Sequence, residues 1–286
     1  MVIEQLGSYA ILETISQTKL SRLVLAEHLT THLRCAIKVL LHDYRSTPEV
    51  VSYFEREAIC LAHLQHPNIA RVLDCGLTSD GLPFLVMEYI DGMPLDRFIR
   101  QRPRPTLSCI FDLTVRTCAG LQAAAQQHIV HLDIKPGNLM VTRTNAQLKI
   151  VDFGLARQLW KPVFTQQGQQ SNGDICGTPR YMSPEQCCNT SMDHRSDIYS
   201  FGATFYHLLG GQPPFADLSD SELLKKRNAL RHPMPLQEIY PDIPQDMCEI
   251  IMRMLEFDPT MRYQDYDALL ADLDTSKLLQ LAREAR

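Results

Sequence analysis

Lys38 and Glu57 are charges placed where the surrounding sequence is apolar. After Thr47 and Pro48, Val50, Phe54, Ala58 and Leu61 recur at helical spacing, and Glu57 falls inside that stripe. A carboxylate buried there without a partner costs several kcal/mol, so it finds a cation, protonates, or snorkels out at the helix edge. Lys38 is the candidate cation. It closes the strand Cys35-Ala36-Ile37-Lys38-Val39, whose alternation sets Ala36 and Lys38 on the face opposite Ile37. Paired, the two ions would point into a cleft. Two acids and an amide come later: Asp133 and Asn138 lie in His131-Leu132-Asp133-Ile134-Lys135-Pro136-Gly137-Asn138, and Asp152 follows the apolar strand Leu148 to Val151. Taken singly, an Asp or Asn in a loop caps a turn. Their order and separation carry more than any one of them.

The elements that must hold these residues change character along the chain. Residues 1–90 read mainly as strands, near Tyr9 to Ile15, Leu23 to Glu27, Cys35 to Leu40, Arg71 to Leu77 and Pro83 to Tyr89. Asp80-Gly81 is a tight hairpin signal between the last two, because both residues tolerate positive φ. One helix interrupts them, opened by the Thr47 hydroxyl as N-cap with Pro48 at the first helical position, and ending near His66-Pro67. From Leu95 the pattern is helical, over Leu107 to His128, Asp197 to Leu209, Ser219 to Arg231, Pro244 to Glu256 and Asp265 to Leu281. This segregation predicts an α+β fold of two lobes, 1–90 and 91–286, joined at Asp91-Gly92, with a ligand cleft between them.

In order and spacing, the 131–138 segment and Asp152-Phe153-Gly154 resemble the catalytic loop and metal-binding motif of eukaryotic-type (Hanks-type) serine/threonine protein kinases, bacterial ones in particular. The resemblance implies the bilobal kinase fold: a small antiparallel β lobe with one helix, and a larger, mainly helical lobe. It implies transfer of the γ-phosphoryl group of ATP to protein Ser/Thr hydroxyls. Asp133 would be the catalytic base, Lys135 a point charge on the transferring phosphate, and Asn138 and Asp152 the ligands of Mg²⁺, with Mn²⁺ as a substitute. Lys38 and Glu57 would be the phosphate-positioning pair. Ile15, Leu23, Ala36 and Met140 would sandwich the adenine, Met87 would guard the back of its pocket, and Glu88 and Tyr89 would offer hinge backbone hydrogen bonds. Gly177-Thr178-Pro179 and Ser183-Pro184-Glu185 look like the end of the activation segment, which shapes a peptide groove and argues against a small-molecule kinase. Asp197 to Gly202 looks like the buried central helix of the large lobe. Arg262 would pair with Glu185, and His131 would pack beneath Phe153 as a structural residue.

Two positions depart from the family pattern. The phosphate-covering loop is Ser16-Gln17-Thr18-Lys19-Leu20-Ser21, with Ser16, Thr18 and Ser21 in place of three glycines. Left-handed angles that glycine takes freely cost other residues about 1–2 kcal/mol, so the reading expects a stiffer loop and a weaker grip on ATP. Hydroxyls there could return part of that by donating to phosphate. Leu132 stands where many kinases place an arginine that clamps an activation-loop phosphate. Activity is therefore expected not to depend on phosphorylation between Asp152 and Glu185, where Thr165, Ser171 and Thr178 are the hydroxyls of interest. The rival reading is a pseudokinase that binds nucleotide or scaffolds without transferring phosphate.

The bulk composition sets limits. With 286 residues, 45% of them apolar, the chain can form one large core or two joined lobes. A formal charge of −5 gives no nucleic-acid groove, and the Lys225-Lys226-Arg227 cluster reads as a solvated helix face. Nine cysteines without a C-x-x-C pair argue against a disulfide framework or zinc cage and suit a reducing, cytoplasmic setting. No leader or membrane-length apolar run is read from the sequence. Oligomeric state is not legible.

Overall fold

The computed structural model describes residues 4–41, 47–100, 105–153, 157–158, 178–188, 190–226, 229 and 232–284, without the side chains of 48–50, 52–53, 56–57, 157–158 and 277–284. The expected features at Gly154, Thr165, Ser171, Gly177 and Arg227, and the side chain of Glu57, lie outside the described residues.

The chain opens with strands β1 (Gln5–Leu6), β2 (Tyr9–Gln17), β3 (Ser21–His28) and β4 (Arg34–Leu40), then helix α1 (Pro48–Ala62), then β5 (Val72–Leu77) and β6 (Pro83–Glu88). All six strands form one antiparallel sheet in the order β1-β2-β3-β4-β6-β5. Period-two alternation sorts the side chains into two layers. Tyr9, Val24, Ala26, Cys35, Ile37, Val39, Phe84 and Val86 form a separate apolar cluster on one face. Leu40, Leu85 and Met87 join the main core, which includes Phe54, Cys60 and Leu61 of α1.

Two local expectations are corrected. Thr47 is the N-cap of α1 by position, but its side chain makes no cap hydrogen bond, so Pro48 and the buried stripe start the helix without it. Asp80-Gly81 does mark a hairpin, since β5 and β6 pair antiparallel, but its turn is looser than a tight one: Thr78 N donates to Leu82 O at 2.8 Å, Leu82 N donates to Thr78 Oγ1 at 3.0 Å, and only Gly81 takes positive φ, at 76°. A threonine hydroxyl thus closes a longer loop that the Asp-Gly signal alone did not describe.

The remainder comprises β7 (Gly92–Pro94), α2 (Leu95–Ile99), α3 (Leu107–Gln126), β8 (Ile129–Val130), β9 (Leu139–Thr142), β10 (Leu148–Ile150), β11 (Arg157–Gln158), α4 (Pro184–Cys187), α5 (His194–Gly210), α6 (Asp220–Lys226), α7 (Leu236–Ile239), α8 (Gln245–Met254) and α9 (Tyr266–Glu284). The short strands form a β10-β9-β7 sheet and a β11-β8 pair. A Cβ at Gly92 would lie 2.3 Å from Val141 O, so only glycine lets β7 approach β9 this closely. α5 is buried on nearly all sides; its Ser200 and Thr204 hydroxyls are satisfied by the carbonyls four residues back, and Gly211, at φ 68°, terminates it. The β lobe and the helical part are stitched together at Asn68, which donates from Nδ2 to Leu148 O at 2.9 Å and accepts at its own carbonyl from Ile150 N at 2.8 Å. No helix among the described residues is long and apolar enough to cross a membrane.

Candidate catalytic cleft

Sheet register fixes one side of the cleft. Ser16 lies opposite Leu23, Leu23 opposite Lys38, and Lys38 opposite Leu85, so these four side chains share one face in a single row. The next row on that face runs Leu25, Ala36, Met87. Ala36 and Met87 are buried, Leu23 is half-buried, and Ile15 is exposed at a β2 irregularity between Thr14 and Ser16. Lys38 Nζ crosses from this row to Asp152 Oδ1 at 2.8 Å. Glu57 is on α1, which packs on β5 and β6.

The other side is the loop between β8 and β9. Asp133 Oδ2 accepts from Lys135 Nζ at 2.7 Å and from Asn138 Nδ2 at 2.9 Å. Asn138 Nδ2 also donates to Asp133 O at 2.9 Å, which leaves its Oδ1 as the amide atom turned to other use. His131 is fully buried: its Nδ1 accepts from Asp133 N at 3.2 Å, its Nε2 lies 3.2 Å from Val151 O, and its ring centroid sits 4.4 Å from that of Phe153. Burial lowers its pKa, as suits a neutral packing residue rather than a base.

Two residues of the loop pair have left-handed backbones without being glycine: Leu132 at φ 65° and Asp152 at φ 62°. Such strain costs about 1–3 kcal/mol and persists only where neighbours over-determine it. At Leu132 they do. Asp197, wholly buried on α5, accepts from His131 N at 2.6 Å and Leu132 N at 2.8 Å, while Gln186 Nε2 donates to Leu132 O at 2.7 Å. Burial pushes the Asp197 carboxyl up to about 7, against the pull of those two N–H donors. For Asp152, desolvation pushes the carboxyl up, but the charge and hydrogen bond of Lys38 outweigh it and hold the group below the ordinary aspartate value. The oxygens of Asp152 and the Oδ1 of Asn138 are hard donors of the kind Mg²⁺ takes. Among the described residues no cluster of three His, Cys, Asp or Glu side chains forms a separate metal site.

At the end of β6, Glu88 N donates to Arg71 O at 2.9 Å, so the backbone N–H expected to meet a ligand is already engaged. The Glu88 side chain pairs with Lys149 Nζ at 2.6 Å and accepts from Arg71 N at 2.8 Å. Met140 is half-buried on β9, opposite Lys149. In the turn between β2 and β3, Thr18 N donates to Ser21 O at 2.9 Å, and Thr18 Oγ1 accepts from Leu20 N at 3.2 Å and Ser21 N at 3.1 Å. Leu41 N donates to Leu20 O at 2.9 Å, pinning the tip to the end of β4. No residue from Ser16 to Ser21 has positive φ. The left-handed penalty expected for replacing glycine is thus not incurred, but the Thr18 hydroxyl is spent inside the loop.

Asp197, Gln186 and Lys149 were not picked out as site residues from sequence. They act on backbone carbonyls, backbone N–H groups and the Glu88 carboxylate, which no spacing rule reveals; Asp197 reads there only as the start of the buried helix, and Gln186 left a trace as the last residue of the Ser183-x-x-Gln186 capping box. A cavity of about 390 Å³ among Asp96, Ile99, His207, Tyr240 and Ile243 includes none of the cleft residues.

A curled antiparallel sheet over a helical lobe, with a lysine reaching from the sheet to an acid of the opposite loop, defines the protein-kinase fold. Residues 9–272 match the family model described as protein kinase domain, and the chain belongs to that family. It is 36% identical over 259 residues to the serine/threonine-protein kinase PknB of Mycobacterium leprae, covering 89% of this chain and 40% of that protein. It is 34% identical over 273 residues to PknB of Mycolicibacterium smegmatis, covering 93% and 42%. The chain thus spans about two fifths of the length of these relatives. Among solved structures it resembles the Mycobacterium tuberculosis PknI kinase domain, with a TM-score of 0.73 and 23% identity over 95% of this chain and 97% of that one.

Proposed function

We propose that this chain is an active serine/threonine protein kinase domain that uses ATP with Mg²⁺ and has Asp133 as its base. The observation that supports the reading is the Asp133–Lys135–Asn138 cluster together with the Lys38–Asp152 pair. In this reading Asn138 Oδ1 and the Asp152 carboxylate would hold the cation, which would supply positive charge to offset that of the phosphate oxygens. Lys38 positions the nucleotide phosphates. With Oδ2 occupied, Oδ1 of Asp133 has no hydrogen-bond partner among the described residues and receives the proton of the acceptor hydroxyl. The acceptor oxygen bonds to the γ-phosphorus as the bond to the β–γ bridging oxygen breaks, and ADP leaves; Lys135 steadies the transferring charge. Ile15, Ser16, Leu23, Ala36, Met87 and Met140, with the Glu88 carbonyl and Tyr89, form the nucleotide side. The domain division at Asp91-Gly92 and a reducing, cytoplasmic setting belong to the same proposal.

Phosphoamino-acid analysis of a generic acceptor labelled with Mg²⁺ and ATP tests it: label on serine or threonine is expected, and label on tyrosine alone would refute it. Leu132 adds that activity does not require phosphorylation of the segment after Asp152, so Thr165→Ala with Ser171→Ala keeps turnover within about twofold of parent; a hundredfold loss would contradict this. The pseudokinase reading draws on one feature, the Thr18 hydroxyl and the tip N–H groups satisfied by one another rather than free for phosphate.

A further inference from the structure

We propose that Gln186 is a positioning residue for Asp133, linking the end of the activation segment to the catalytic loop by a neutral hydrogen bond. The inference rests on the kinase reading above. Gln186 belongs to α4 and closes a capping box: its Oε1 accepts from Ser183 N at 3.1 Å and Ser183 Oγ at 3.2 Å. With its oxygen so engaged, the amide presents Nε2 outward, and Nε2 donates to Leu132 O at 2.7 Å.

That carbonyl shares one rigid peptide plane with the Asp133 N–H. The plane is held at both ends, by Gln186 at the Leu132 oxygen and by His131 Nδ1 at the Asp133 nitrogen. The preceding plane is held by Asp197 through Leu132 N. Leu132 is at φ 65°, a conformation that leucine does not keep unaided, so releasing its carbonyl lets the plane turn and Asp133 lose its aim. The anchor for Gln186 is its neighbour Glu185, locked to Arg262 by two bonds of 2.8 and 2.9 Å. A leucine at 132 offers no charge for a phosphate to grip. The Gln186 amide makes the connection between activation segment and loop without one.

A capping box accepts Glu or Gln equally, but the bond to Leu132 O needs a donor. This separates the two roles of residue 186. Gln186→Glu keeps the box and places a carboxylate oxygen against a carbonyl; Ser183→Ala weakens the box and keeps the Leu132 bond. Gln186→Glu is expected to lower kcat about tenfold or more, as a small misplacement of a catalytic group does, with KM for ATP within about twofold. Ser183→Ala is expected to lower the melting temperature and leave kcat within about twofold. A Gln186→Glu enzyme with parental kcat, or equal kcat losses in the two variants, overturns the proposal. A parent that transfers no phosphate refutes the kinase reading instead. Amide hydrogen exchange at 131–133 then decides on Gln186: faster exchange in Gln186→Glu than in Ser183→Ala supports the link, and equal exchange overturns it.

Discussion

Arg262→Met should be the most damaging single change outside the cleft, and the size of the loss follows from its bonds. All five N–H groups of Arg262 are used: Nε to Glu256 O at 2.7 Å, Nη1 to Glu185 Oε1 and Arg195 O at 2.8 Å each, and Nη2 to Glu185 Oε2 at 2.9 Å and Phe257 O at 3.1 Å. The guanidinium also lies 5.0 Å over the Tyr199 ring. Methionine of similar length takes one donor away from each of three carbonyls and leaves the buried Glu185 carboxylate with Ser196 Oγ, at 2.7 Å, as its remaining side-chain donor. Breaking such a pair costs about 3–5 kcal/mol, and at about 2–4 °C per kcal/mol for a chain of this size the melting temperature falls by about 6–20 °C. Desolvation pushes the Glu185 carboxyl up, and the Arg262 and Ser196 bonds together hold it below the ordinary glutamate value. In the parent, that stabilisation is present above the unfolded pKa and is lost as pH falls through the depressed folded one. In Arg262→Met desolvation is opposed by Ser196 and the backbone N–H of Glu185 alone, the folded pKa rises, and the penalty shrinks as acid protonates Glu185. Thermal unfolding by circular dichroism from pH 5 to 8, on Arg262→Met and on Arg262→Met with Glu185→Gln, reads both effects. The double variant should melt higher than the single one at pH 8 and converge with it at pH 5. A single variant within about 2 °C of parent, or a single and double that never differ, would refute the reasoning.

Two further outcomes concern the cleft. Lys38→Met removes the charge that holds Asp152 down, so the acid limb of Mg²⁺-dependent nucleotide binding should move to higher pH; an unmoved limb in a fluorescent-nucleotide titration would count against the pairing. Thr18→Val deletes two exposed caps worth the low end of about 0.5–1.5 kcal/mol each, so KM for ATP should rise about five- to tenfold while Thr18→Ser stays near parent; a Val variant that binds ATP more tightly would show that the cap withholds donors.

What the sequence made legible was whatever depends on side-chain period and spacing. The alternation around Ile37 and Lys38, the stripe Phe54-Ala58-Leu61 and the loop from His131 to Asn138 each state their geometry in residue order. The short strands β7, β8 and β9 were missed because two to four residues cannot display a period. Three threonines show the other limit. Thr47, in a favoured capping position, makes no cap bond, whereas Thr78 and Thr18 close loops through bonds to backbone N–H groups. A hydroxyl can serve several local partners, and tertiary packing chooses among them. Asp197 and Gln186 escaped for a related reason, since the atoms they bind belong to the backbone and every residue offers those.

The most direct test is transfer of label from γ-³²P-ATP to a generic protein acceptor with Mg²⁺, run on parent and Asp133→Ala, with nucleotide binding measured on both. The account predicts transfer by parent, loss of at least about a thousandfold in Asp133→Ala, and similar ATP affinity in the two. ATP binding without transfer in parent, or transfer by Asp133→Ala at the parental rate, would contradict it.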